Sequence, residues 1–132
     1  MRHAARTLVL SAILTLAAGT TALPHHSVSG QFDTNKLVTI TGVISRIDWV
    51  NPHIYVLVDG KDESGGAGQW ALETVPTAMA RKSKLTKEML AGKQGETVTV
   101  TGHPSRDGRK SAWVIKITYP DGHFYQLSAD RK

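Results

Sequence analysis

Residues 37–53 read LVTITGVISRIDWVNPH, and this stretch decides the fold. Apolar residues alternate with polar ones on both sides of Gly42, which predicts one long strand with a bulge or bend at the glycine. The pair Asn51-Pro52 ends the strand, because proline donates no backbone hydrogen bond and restricts the residue before it. The domain is therefore expected to begin with a long, bent strand that runs into a sharp corner.

The rest of the chain continues the β pattern with one interruption. Apolar alternation and turn residues predict strands over 54–58, 69–75, 96–102 and 112–119, and a short last strand over 123–127. Between the third and fourth strands, Ala78–Ala80 and residues 87–91, the latter capped by Thr86, predict two short helical segments. A bent first strand and a helix in this position are typical of the OB barrel.

We therefore predict an all-β domain over residues 37–132 with a short helical connection: a five-stranded OB-like barrel plus a small C-terminal hairpin. A small β-sandwich is the alternative, and the single helical connection argues against it. The expected inward-facing core residues are Ile40, Ile44, Val56, Leu72, Val98, Val100 and Ile115.

Composition limits the class of protein. The 132 residues, 40% hydrophobic and 20% charged, suit one globular domain. The absence of cysteine excludes disulfides, thiolate metal sites and a cysteine nucleophile. No Gly-x-Ser-x-Gly or His-Glu-x-x-His motif occurs, so the residues favour a binding or accessory module over an enzyme, and no catalytic residue is predicted.

The N-terminus has the pattern of a secretory signal peptide. Arg2 and Arg6 precede an apolar run of 12 residues, which is too short to span a bilayer, and small residues follow up to Ala22. We predict a signal peptide over 1–22, an extended arm over 23–36 and a periplasmic location without an integral membrane segment. Removing Arg2 and Arg6 lowers the net charge from +5 to +3, which gives no reason to expect a nucleic-acid partner.

Histidines are the residues that suggest a metal-binding site. His25 and His26 lie in the arm, and His53 follows Trp49, Asn51 and Pro52 at the corner between the first two strands. Imidazole binds Cu(II) and Zn(II), so His25, His26 and His53, with Asp33 as an oxygen ligand or orienting group, form a candidate metal site. The alternative is that His53 only stabilises the corner and that His25 and His26 are solvated.

Several segments of the sequence resemble those of a known protein family. The sequence is similar to a family of small exported bacterial proteins of unknown function in His25-His26-Ser27, Phe32-Asp33, 36–42, Trp49-Val50-Asn51-Pro52-His53, Trp70 and 96–102. The resemblance implies an OB-like barrel and export, and it implies no activity. In the family the double histidine closely follows the final alanine of the signal peptide, whereas here Leu23 and Pro24 intervene.

Two hypotheses of function follow. The first is an exported module that binds Cu or Zn through histidines. The second is an OB-fold module that binds a small organic or oligosaccharide ligand, or a periplasmic partner protein, through aromatic residues and without metal. Metal binding should weaken below pH about 6, where imidazole becomes protonated, whereas aromatic stacking should not.

Export should remove the first 22 residues, because the segment has the charge, length and small-residue pattern that signal peptidase recognises. The intact mass of protein recovered from the periplasm is expected to match a chain that begins at Leu23 or at a neighbouring residue. A full-length species retained in the membrane would contradict the predicted location.

Overall fold

The computed structural model describes residues 27–82, 85–91 and 93–128. The predicted signal peptide, His25 and His26 lie outside these residues. In chain order the elements are α1 (Val28–Gln31), β1 (Val38–Trp49), β2 (His53–Asp62), β3 (Ala67–Pro76), α2 (Thr77–Lys82), α3 (Lys87–Ala91), β4 (Thr97–Pro104), β5 (Ser111–Thr118) and β6 (Phe124–Gln126).

The strands form one closed sheet. Their order is β3-β2-β1-β4-β5-β6, all neighbours are antiparallel, and a parallel pairing of β3 with β5 closes the first five strands into a barrel. Strand β6 extends β5 as a hairpin outside the closed ring. This arrangement confirms the predicted five-stranded OB-like barrel with a C-terminal hairpin.

The barrel interior is a single apolar cluster. Six of the seven predicted core residues lie in it and are almost fully buried: Ile40, Ile44, Val56, Leu72, Val98 and Val100. A second cluster under the helices contains Ile54, Val75, Ala80, Leu85 and Leu90, so α2 and α3 close one end of the barrel.

Ile115, the seventh predicted core residue, is buried but is not part of the interior cluster. The register between β4 and β5 shifts here, since Thr101 pairs with Lys116 and Gly102 pairs with Val114. Ile115 is thus the extra residue of a bulge, and its carbonyl accepts a hydrogen bond of 2.8 Å from the backbone N–H of Leu127.

The predicted irregularity of β1 lies three residues beyond Gly42. Gly42 keeps regular pairing with Gly60 and Val98, whereas the register shifts between Ile44 and Arg46. Gly42 is required for a different reason: a Cβ there would lie 2.4 Å from the carbonyl oxygen of Asp59. The glycine allows β1 and β2 to approach closely, and the bulge at Ser45 changes the register.

Both predicted helical segments are present, Ala78–Ala80 within α2 and residues 87–91 as α3. Thr86 caps α3 as predicted, since its hydroxyl accepts a hydrogen bond of 3.2 Å from the N–H of Met89. The predicted extended arm contains one helical turn, α1, which Ser27 caps by accepting from the N–H of Gly30. No helix in the described ranges is both long enough and apolar enough to cross a membrane.

Neighbouring residues of β1 provide a test of the barrel interior. Ile44 is 1% exposed and Val43 is 41% exposed, since successive strand residues face opposite sides. Ile44→Ala should lower the free energy of unfolding in urea by about 2–4 kcal/mol, because it leaves a cavity. Val43→Ala should change it by about 0.5 kcal/mol or less. Equal losses would show that the strand orientation is wrong.

Candidate functional site

The corner between β1 and β2 is fixed by contacts with the start of α2. The Asn51–Pro52 peptide bond is cis. The Thr77 hydroxyl donates a hydrogen bond of 2.7 Å to Oδ1 of Asn51, and the Thr77 N–H donates one of 3.1 Å to the carbonyl of Pro52. Trp49, the last residue of β1, packs against the apolar cluster under the helices. The motif residues Trp49, Asn51 and Pro52 therefore hold His53 at a defined place at the start of β2.

His53 contacts the carboxylate of Glu73. Its Nδ1 lies in hydrogen-bond contact with Oε1 of Glu73, on the neighbouring strand β3. A carboxylate accepts hydrogen bonds, so Nδ1 carries the proton and the lone pair of the neutral ring is on Nε2. No other described residue forms a hydrogen bond with this imidazole. The ring thus has a fixed tautomer, and its Nε2 has no hydrogen-bond partner among the described residues.

Glu73 is a residue of the candidate site that the sequence did not reveal. It lies on β3 between Leu72 and Thr74, is only 9% exposed, and is in register with Tyr55 on one side and Trp113 on the other. Burial and, after it, the charge of Glu73 raise the pKa of Tyr55 above its ordinary value of 10. The signal in the sequence is a single acid inside a mostly apolar strand, since a buried carboxylate requires a partner.

The N-terminal arm is attached to the same outer face of the barrel. Phe32 is buried and its ring centroid lies 6.2 Å from that of Trp113. The Trp113 ring is in turn 5.6 Å from the ring of His53, edge-on. Backbone hydrogen bonds from Asp33 to Pro104 and from Arg106 to Gln31 hold the arm against the loop between β4 and β5. The Phe-Asp segment and the Asn-Pro-His corner therefore meet at Trp113.

The Asp33 carboxylate interacts chiefly with residues of its own segment. Its carboxylate accepts a hydrogen bond of 3.2 Å from the N–H of Asn35, lies 3.5 Å from the ammonium group of Lys36 and 4.0 Å from the guanidinium group of Arg106. The hydrogen bond from Asn35 and, among the cations, chiefly Lys36 lower the pKa of Asp33 below its usual 3.8. The carboxylate that contacts His53 is that of Glu73, and Asp33 instead stabilises the turn that follows the arm.

Of the predicted metal ligands the structure describes only His53 and Asp33, and these two form no hydrogen bond or ion pair with each other. His25 and His26 lie outside the described residues. Within the described ranges, no group of three or more His, Asp or Glu side chains is arranged to hold a metal ion. What the structure assembles is a positioned imidazole with its orienting carboxylate, Trp113 beside the ring and Phe32 next to Trp113.

Two further histidines lie elsewhere. His103 is 4% exposed, and its Nδ1 donates a hydrogen bond of 2.8 Å to the carbonyl of Lys36. His123, in the hairpin turn, contacts the carboxylate of Asp121 through Nδ1 and stacks on Tyr119 at 4.2 Å. The pair of His123 and Asp121 has the same chemistry as that of His53 and Glu73. Its side chains are more exposed, however, and its two residues are close neighbours in the sequence.

Asp33→Asn should destabilise the fold at pH 7 and have little effect at low pH. Because the pKa of Asp33 is lowered by folding, its charge stabilises the folded state above the ordinary value of 3.8, and this stabilisation is lost as the pH falls through the lowered value. Urea unfolding at pH 7 and at a pH below the lowered pKa of Asp33 measures the difference, with Glu63→Gln at an exposed acid as the control. An equal loss at both pH values would contradict a role for the charge.

The residues of this outer face lie within a stretch of sequence that matches a known protein family. No curated protein and no solved structure matches the chain. The model of a family of unknown function, DUF6152, matches residues 12–114, a stretch that runs from before the double histidine to just after Trp113. Because the match covers well over half of the sequence, the chain belongs to this family of unknown function.

Proposed function

We propose that the protein is an exported binding module that holds a late transition-metal ion, Cu(II) or Zn(II), at Nε2 of His53. His25 and His26 of the arm supply further ligands in this proposal. The observation that carries it is the contact between Nδ1 of His53 and the carboxylate of Glu73.

The chemistry of this contact suits a metal ligand. Metal-binding histidines commonly donate the N–H of their second nitrogen to a carboxylate, which fixes the tautomer, orients the ring and raises the basicity of the ligating nitrogen. Glu73 is in the position to do this for His53, and strand pairing fixes its place. Neutral imidazole is a suitable ligand for both ions.

The attachment of the arm supports a contribution from the double histidine. Ser27, the residue directly after His26, lines the same cleft as Trp113, and the Trp113 ring contacts His53. The contact between Phe32 and Trp113 holds the arm on this face. The described part of the arm therefore lies on the face that carries the corner, which supports a ligand set drawn from both segments.

His53→Ala should weaken the binding of Cu(II) or Zn(II) by more than tenfold, at least about 1.4 kcal/mol. The variant should still fold, with some loss of stability because the buried Glu73 carboxylate loses its partner. Isothermal titration calorimetry on the mature chain, purified without a histidine tag, measures the affinity. Glu73→Gln should weaken binding by about 10- to 100-fold, as expected for a group that orients a ligand. Replacing both His25 and His26 by alanine should weaken binding without lowering stability.

The matched control is His123→Ala, because His123 also contacts a carboxylate through Nδ1 but lies on the C-terminal hairpin. This variant should retain the metal affinity of the wild type. If His53→Ala mainly lowers the unfolding temperature, and metal binding is absent or unchanged, then His53 only stabilises the corner and the proposal is wrong.

A further inference from the structure

A cleft of about 520 Å³ lies between the arm, strand β3 and the loop that joins β4 to β5, and we call it the loop cleft. This volume falls in the range of small-molecule sites, about 300–1,000 Å³. Ala71 and Ser111, a pair in the ladder that closes the barrel, lie at its base. Their side chains are small, so the outer face of the ladder leaves space here for a ligand.

The charged groups of the loop cleft are separated by sign. Glu73 is on the side of the strand, where its side chain is only 12% exposed. The cations Arg106, Arg109 and Lys110 are all on the loop. The loop also carries Asp107, but this carboxylate accepts a hydrogen bond of 2.6 Å from Nε of Arg109 and so neutralises that cation. The cleft therefore has an acid on one side and an excess of positive charge on the other.

Two of the loop cations can contact a ligand carboxylate. Lys110 forms no ion pair with any residue that the structure describes, and its Nζ lies 5.9 Å from the ring centroid of Trp70. Arg106 donates through Nε to the carbonyl of Ser29 at 2.9 Å, and its guanidinium group is 4.0 Å from the carboxylate of Asp33. The other N–H groups of the planar guanidinium suit a carboxylate, which accepts charge-assisted hydrogen bonds.

Glu73 can accept a hydrogen bond from a cationic group of a ligand. Its contact with His53 is to the N–H of a neutral ring, so it brings no positive charge to the carboxylate. A carboxylate has about four acceptor positions, and its hydrogen bonds to charged donors are stronger than those to neutral ones. An ammonium group on the strand side of the loop cleft would therefore stabilise the buried charge of Glu73.

The register of the ladder sets the distance between the two charges. Because Ala71 pairs with Ser111, Lys110 lies three residues from Glu73 along the strand direction, about 10 Å at roughly 3.3 Å per residue. A free amino acid carries its ammonium and carboxylate groups on one carbon atom, which places them too close together. An extended dipeptide spans about 7 Å, and the hydrogen bonds at its two ends supply the rest.

We propose that the loop cleft binds a small zwitterion of the dipeptide class, with its ammonium group on Glu73 and its carboxylate on Lys110 and Arg106. The side-chain amide of Gln31, exposed on the wall formed by the arm, can hydrogen-bond to the peptide group of the ligand. This inference goes beyond the proposed metal binding and shares only Glu73 with it.

The test compares alanyl-alanine with its N-acetyl and C-amide derivatives, each of which lacks one of the two charges. NMR titration of the mature chain in the presence of EDTA measures the affinities without any contribution from metal. Alanyl-alanine should bind at least tenfold more tightly than either derivative and than free alanine. Because this protein is metal-free, failure of this test and failure of the metal titration are distinguishable.

Two matched pairs of variants locate the site. Ala71→Leu fills the base of the cleft and should weaken the binding of alanyl-alanine at least tenfold. Ala67→Leu, at an exposed position of the same strand outside the cleft, should leave it unchanged. Lys110→Gln should weaken the binding of alanyl-alanine at least fivefold but not that of the C-amide, whereas Lys61→Gln, at an exposed lysine outside the cleft, should change neither. Lys110 is exposed, so its variant keeps the test valid if Ala71→Leu does not fold.

Three results would overturn the proposal. The first is no saturable binding of alanyl-alanine. The second is equal affinity for alanyl-alanine and either derivative, which would show that one of the two charges is not recognised. The third is an equal effect of Lys110→Gln and Lys61→Gln, which would show that the dipeptide binds elsewhere on the protein.

Discussion

The parallel pairing of β3 with β5 is the constraint on which the rest of the structure depends. Only three residue pairs form it: Ala71 with Ser111, Leu72 with Ala112, and Glu73 with Trp113. The Ser111 hydroxyl adds a hydrogen bond of 2.9 Å to the carbonyl of Ala71. This short ladder turns an open sheet into a barrel, so the β3 and β5 backbones are no longer exposed sheet edges. It also brings Glu73 and Trp113 of the candidate site together.

Closure of the barrel also explains why the polar side chains of the candidate site lie outside it. The interior cluster is apolar except for the indole N–H of Trp70 and the hydroxyl of Tyr119, and a carboxylate placed there would lose its hydration without compensation. On the outer face Glu73 is still shielded, with Trp113 and Tyr55 in register on either side, but it has His53 as a partner. The arm adds Phe32 to this face, so a segment outside the barrel completes the surroundings of the site.

The strands, the helical connection and most of the core could be predicted from the sequence, because period-two alternation and turn residues are local signals. The positions of the bulges could not, since an extra residue such as Ser45 or Ile115 is defined only relative to the partner strand. Glu73 escaped prediction for a related reason: its partner His53 is 20 residues away, and only the register of β2 with β3 brings them together. The Asn-Pro-His corner was recognisable because proline and asparagine act on their immediate neighbours.

Trp113 has a position that links the closure of the barrel to the candidate site. Its backbone pairs with Glu73 in the ladder that closes the barrel, and its ring packs against both His53 and Phe32. The corner, the arm and the ladder thus share one side chain. A smaller residue at this position would loosen all three at once, although they are far apart in the sequence.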